Sequence, residues 1–232
     1  MQVAISDFTT GASEARGVAV IVDVFRASTL QCYAFGQGAD RVFPVAEVEM
    51  ARQFKAVNPD WLLVGERHAR KLPGFDHGNS PAEIAQLDLT GSTVVHTTHA
   101  GTQGLCGAVE ARVVLSAALV NATATARYVQ SLQPSQVTIV RMGHEARERS
   151  AEDDVCAEWL AALLAGQPYD TASIAAQLRA APSAQKFFDP ACDWAPQADF
   201  DHCLALDRFG FALRLEGRET ASPYLVARSP TA

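Results

Sequence analysis

Much that would direct a chain to a particular partner is missing here. No apolar run approaches the roughly 20 residues that span a bilayer, and no basic segment leading into an apolar one opens the sequence. No membrane partner is expected, and the location reads as cytoplasmic. Basic residues are outnumbered, 19 Lys and Arg against 26 Asp and Glu, which leaves a net charge of −7 and no positive stripe for a nucleic-acid backbone. The cysteines, Cys32, Cys106, Cys156, Cys192 and Cys203, are odd in number and form no C-x-x-C. Most fall in apolar stretches such as LQCYAF and GLCGAV, so they read as reduced thiols of a cytosolic protein. Nucleotide signatures are absent as well. The Gly-rich segment TTHAGTQG has neither the G-K-[ST] ending of a P-loop nor the G-x-G-x-x-G spacing of a dinucleotide fold. His144-Glu145 begins an H-E-x-x-H zinc pattern that Glu148 breaks by standing where the second histidine belongs.

What is present is an ordinary globular composition, 48% hydrophobic and 19% charged, on a chain long enough to close a sizeable core. Four apolar runs, 17–25, 61–65, 92–98 and 136–143, have the length of strands and are rich in β-branched residues. Their unbroken apolarity suits strands covered on both faces. Helical patterns lie at 27–36, 45–57, 80–87, 102–110, 119–132 and 151–165, and a further short strand is expected at 112–116. Strands alternating with helices predict one α/β domain over 1–232, built on a mostly parallel, helix-flanked sheet. The chemistry-bearing motifs fall within 17–165. Residues 168–232 change character, broken by Pro182, Pro190 and Pro196 before the alternating FGFALRLEG of 209–217. They read as a C-terminal elaboration, either an edge hairpin or a subunit contact.

Each of the four apolar strands runs into a polar cluster, where strand carboxyl ends meet helix N-termini with unpaired N–H groups. VIVDVFRAST puts Asp23 at the first strand end, where a carboxylate is rarely placed without a partner and can hold a hard cation. Arg26 and the N–H groups of the next helix can take phosphate oxygens, while Ser28 and Thr29 suit either a ligand or a helix cap. The second cluster places Glu66 and Arg67 at a strand end and closes on Asn79-Ser80-Pro81, with Ser80 capping the helix that follows. The Gly-rich loop between carries His68, Arg70, Lys71, Asp76 and His77. In TTHAGTQG, Gly101 and Gly104 let backbone N–H groups approach an anion, and His99 is a candidate general acid. The last cluster reads as a capping box of Ser150 with Asp153. Its acids, Glu152, Asp153 and Asp154, exceed what capping needs, so one of them can complete a metal site.

Read together, VDVFRAST, GER, GFDHGNSP, TT-x-x-GT, the SAALVNATA stretch with Asn121, and S-x-E-D with Cys156 and Ala157 following resemble the 2-phosphosulfolactate phosphatase family. The resemblance covers roughly residues 17–165. It implies a three-layer α/β/α sandwich and Mg2+-dependent hydrolysis of a small phosphorylated acid, a reaction of coenzyme M biosynthesis. It further implies that Asp23, Glu66 and Glu152 or Asp153 hold Mg2+, with Asp23, Arg26 and Glu66 catalytic. Ser28, Thr29, Arg67, Asn79, Ser80, Thr98, His99, Gly101, Thr102 and Asn121 are the expected substrate contacts. Arg67 or Arg141 is expected to clamp a carboxylate or sulfonate, and a homodimer is the common state of such enzymes. Phe25 stands where a D-x-D motif would have its second Asp, and both attack by water and an aspartyl-phosphate at Asp23 stay open. Two segments depart from the family pattern. TTHAGT stands where a motif closer to TTNGT is usual, and HARKLPG follows GER. Both belong to loops expected to touch substrate. Three readings follow: a 2-phosphosulfolactate phosphatase, a phosphatase for another phospho-acid, or a non-catalytic protein that binds an anionic metabolite.

Overall fold

In the computed structural model, which describes residues 1–230, the chain opens with β1 (Gln2–Asp7) and α1 (Phe8–Glu14) and enters the core through β2 (Val18–Val22). All five residues of β2 are buried, as an unbroken V-A-V-I-V run must be when both faces of a sheet are covered. Next come α2 (Ala27–Gly36), β3 (Arg41–Pro44), α3 (Val48–Val57), β4 (Leu62–Arg67) and the short β5 (Arg70–Lys71). The brief helix α4 (Pro81–Ile84) leads to β6 (Thr93–Thr97), α5 (Gly101–Gly107), β7 (Val113–Ala117), α6 (Ala122–Ser131), β8 (Gln136–Arg141) and α7 (Ala151–Ala165). The last third holds α8 (Ile174–Ala180), a 3-10 turn over Pro182–Phe187, α9 (Gln197–Cys203), β9 (Ala212–Glu216) and β10 (Tyr224–Arg228).

The described residues form a ten-stranded sheet in the order β1-β8-β2-β7-β9-β10-β3-β6-β4-β5. Pairing is parallel within β1-β8-β2-β7 and within β3-β6-β4. Between these halves sits the antiparallel hairpin of β9 and β10. A large, mostly parallel mixed sheet with helices packed on it is the three-layer α/β arrangement that the sequence implied. Helices α2 and α7 have the bounds expected from the sequence.

The C-terminal hairpin corrects the sequence reading. FGFALRLEG was expected at an edge or in a subunit contact, yet β9 and β10 lie in the interior of the sheet, joining its halves. Its alternation suggested a solvated face because Arg214 and Glu216 interrupt the apolar residues. That alternation is present in the fold, where Ala212, Leu213 and Leu215 are buried while Arg214 and Glu216 stay partly exposed, Arg214 donating to the Tyr128 hydroxyl at 3.0 Å and Glu216 pairing with Arg228. Strands β1, β3, β5 and β10 and helix α1 were not anticipated. β1 is largely exposed and β3 is only four residues ending in Pro44, so neither carries a periodic apolar signal.

Four strands separate β2 from β6 in the sheet, yet the Gly101 N–H just after β6 donates to Asp23 Oδ2 just after β2, at 2.8 Å. The sheet therefore curls, as accumulated strand twist drives so wide a sheet to do. Curling turns the carboxyl ends of both parallel halves toward one place. Among the described residues no helix is long and apolar enough to cross a membrane.

Candidate active site

A cavity of about 510 Å³ opens beyond the ends of β2, β4, β6 and β8, within the size range of small-molecule sites. Four buried carboxylates, Asp23, Glu66, Glu152 and Asp153, line it. Main-chain N–H groups hold three of them at both oxygens. Asp23 accepts from Ala27 N at 3.1 Å and Gly101 N at 2.8 Å. Glu66 accepts from His99 N at 2.8 Å and Ala69 N at 2.7 Å, and Asp153 from Val24 N at 2.8 Å and Gly143 N at 2.7 Å. Glu152 takes the Ser183 hydroxyl. Each acid thus fixes a loop as well as facing the cavity. Gly101 is required for this approach, because an added Cβ would lie 2.8 Å from Asp23 Oδ2.

Crowding marks the electrostatics. Burial pushes the Asp23 carboxyl up to about 6, with Glu66 and Glu152 adding to the rise and the Ala27 and Gly101 N–H groups opposing it. Asp153 is raised well above the usual carboxylate range by burial, then by Asp23 and Glu152. Counter-charge is scarce. Arg26 is paired within the protein, with Asp199 Oδ2 at 2.5 Å, Trp194 O at 3.0 Å and Ala69 O at 3.3 Å. Arg149, also on the cavity, is paired with Asp154. Among the described residues Lys186 is the remaining cation here, and burial together with Arg26 lowers its ammonium pKa while Glu152 and Asp23 oppose that. Four carboxylates against one free ammonium would repel an anionic substrate. With one N–H bond at each oxygen of Asp23, Glu66 and Asp153, a lone pair remains on every one of them, a donor set that fits a hard divalent cation such as Mg2+.

A buried polar relay fixes Asn79 beside these acids. Ser116 donates to Gln31 Oε1 at 2.6 Å, and the Gln31 amide lies 3.1 Å from His96 Nδ1. Gln31 Nε2 can only donate, so His96 Nδ1 accepts and Nε2 carries the proton. That Nε2–H then donates to Asn79 Oδ1 at 3.2 Å, which turns the Asn79 Nδ2 amide toward the cavity it lines. Burial holds the His96 imidazole neutral, its pKa lowered to about 3. Gln31 and His96 were visible in the sequence as polar interruptions of apolar runs, LQCYAF and VVHTT.

The structure gathers Asp23, Arg26, Glu66, Asn79, His99, Glu152 and Asp153 on the cavity. Other expected contacts are used elsewhere. Ser28 sits 2.9 Å from Ser116 at the head of the relay, and Thr29 donates to Val24 O at 2.8 Å. Neither caps α2, whose first N–H group is taken by Asp23 instead. Thr98 and Thr102 bond one another at the start of α5, and Asn121 accepts from Ala118 N at 2.9 Å. Ser80 does cap α4, accepting from Glu83 N at 3.2 Å, and also donates to Asp199 at 2.6 Å. Arg67 is spent on Glu66 O, Ala46 O and Thr97, and Arg141 on Asp7 and Asp154, so neither reaches the cavity as a clamp. The Gly101 N–H goes to Asp23, leaving none for an anion. The Ser150 capping box does not form: Ser150 Oγ has no partner, because Asp153 turns to Val24 and Gly143.

Several lining residues lay outside the sequence expectation. Pro182, Ser183, Lys186 and Trp194 come from the C-terminal third, which covers the site, and Glu145 approaches from the loop after β8. A lysine followed by two phenylalanines in APSAQKFF was the available signal for Lys186.

Comparison with known proteins places the chain in a family. Residues 5–194 match the family described as 2-phosphosulpholactate phosphatase. A probable 2-phosphosulfolactate phosphatase of Deinococcus radiodurans is 39% identical over 168 residues, covering 70% of this chain and 69% of that one. One from Thermoplasma acidophilum is 29% identical over 209 residues, 90% of each chain. Another, from Symbiobacterium thermophilum, is 38% identical over 158 residues, 66% of this chain and 67% of the relative. The matched span runs past residue 165 to Trp194 and so takes in Ser183 and Lys186 with the four acids. The chain belongs to the 2-phosphosulpholactate phosphatase family.

Proposed function

We propose that this chain is a Mg2+-dependent phosphatase that hydrolyses the phosphate monoester of a small acid, 2-phosphosulfolactate, to sulfolactate and phosphate. The observation that carries this reading is the ring of four buried carboxylates on a small-molecule cavity, with Lys186 as the one free ammonium or guanidinium among the described residues that line it. Asp23, Glu66, Glu152 and Asp153 would hold Mg2+. When bound, the ion neutralises phosphoryl charge and lowers the pKa of coordinated water. Lys186 takes a phosphoryl oxygen, a role expected of Arg26 from the sequence, because Asp199 pairs with that guanidinium. The Asn79 amide, its orientation fixed by His96, donates a second hydrogen bond. Arg26 acts by position, tying the loop after β2 to Trp194 and Ala69. A cytoplasmic location belongs to the same reading, supported by five cysteines that are all free.

Another phospho-acid is the second reading, favoured by His68 and His99 at the cavity rim, in the two loops that depart from the family pattern. A panel of 2-phosphosulfolactate and other 2- and 3-carbon phospho-acids separates the two. After EDTA treatment and return of Mg2+, phosphate release should be fastest from 2-phosphosulfolactate. A faster phospho-acid would move the substrate. Thermal stabilisation by these acids with no phosphate released from any would replace the enzyme with a binding protein.

A further inference from the structure

At the rim of the cavity, three loops bring two imidazoles onto one carboxylate. His68 Nδ1 lies 2.7 Å from Glu145 Oε1, and His99 Nδ1 lies 3.7 Å from the same oxygen. The two rings stand nearly edge to face, centroids 4.6 Å apart, and one donor atom from each of the three residues falls within 4.8 Å of the others. An ordinary surface ion pair needs only one histidine, and two protonated imidazoles this close would repel. The backbone is also held in costly conformations to achieve the convergence. His68, Ala69, Glu145 and Ala146 all have left-handed φ values, 52°, 61°, 51° and 55°, which non-glycine residues rarely adopt. Glu66 anchors the two histidine loops, since its oxygens accept from Ala69 N and His99 N.

We propose that His68, His99 and Glu145 form a second metal site, for a divalent transition ion of the zinc class. Two imidazole nitrogens and one carboxylate suit such an ion better than Mg2+, which prefers oxygen donors. Three protein ligands leave a coordination position facing the cavity, where an anionic oxygen can bind. The site is distinct from the carboxylate ring and does not depend on its holding Mg2+.

The test is titration of EDTA-treated full-length protein with Zn2+ by calorimetry and with Co2+ by visible absorption. With excess Mg2+ present to occupy the carboxylate ring, wild-type protein should bind one further ion with the ligand-field bands of nitrogen-coordinated Co2+. His99→Asn and Glu145→Gln should each weaken binding at least ~10-fold, and Asp23→Asn should retain the bands. Melting curves of the metal-free variants check that each is folded, and His68→Ala supplies an independent ligand deletion should either fail. Equal affinity in wild type and in folded histidine variants overturns the proposal, as does binding lost in Asp23→Asn alone, or no binding at all.

Discussion

Asp199 is buried between the site's loops, where Oδ2 pairs with Arg26 and Oδ1 accepts from both Ser80 Oγ and Ala82 N. Removing its charge leaves a guanidinium that is 3% exposed without a counter-ion. Asp199→Asn should therefore lower unfolding free energy by about 3–5 kcal/mol, read from urea denaturation; a loss under 1 kcal/mol would mean that Arg26 finds another partner. At this scale the sequence was informative where a residue type is unusual for its setting. Asp23 and Glu66 end apolar strands, where an acid needs partners, and the fold supplies them as main-chain N–H groups at the edge of the cavity. It was silent where the partner is remote: Arg26 reads as an anion binder until Asp199, 173 positions away, is placed against it.

At the level of elements, the N-terminus of α7 carries a serine at the capping position that caps nothing. A serine cap is ordinarily worth about 1 kcal/mol. Ser150→Ala should cost less than about half that here, measured by thermal or chemical unfolding, because Oγ makes no hydrogen bond to lose. The capping box was a sound local reading defeated by a tertiary one, since Asp153 gains two main-chain N–H bonds from other loops by turning away. Hairpin β9 and β10 was misplaced for a related reason: its alternation correctly marks a half-exposed strand, but periodicity does not say which strands lie beside it. Its pairing is brief, two residue pairs with β7 and one with β3, yet it spans the two parallel halves. Deleting residues 209–232 should abolish the cooperative melting transition; a folded truncated protein would show that the halves hold together without it.

For the molecule as a whole, the crowded acids tie stability to pH and metal. Asp23 titrates at about 6 in the folded chain against 3.8 ordinarily, and Asp153 shifts the same way. A raised folded pKa contributes stability that is present below 3.8 and is lost as pH rises through about 6. A cation favours the ionised forms, so the gain in Tm on adding Mg2+ should grow from about pH 4 to about pH 7. A gain that does not vary with pH would place Mg2+ away from these acids. The fold class and the acid end of the site were legible because they follow from apolar runs and the residues that end them. The lid of 3-10 turn and Trp194 was not, because nothing local in 168–208 says where it packs.

The carboxylate ring is the centre of this reading, and Asp23→Asn addresses it most directly. Phosphate release from 2-phosphosulfolactate, followed against Mg2+ concentration, should fall at least ~100-fold in this variant with the fold intact by circular dichroism. Wild-type rates in Asp23→Asn, or in wild-type protein held in EDTA, would contradict it.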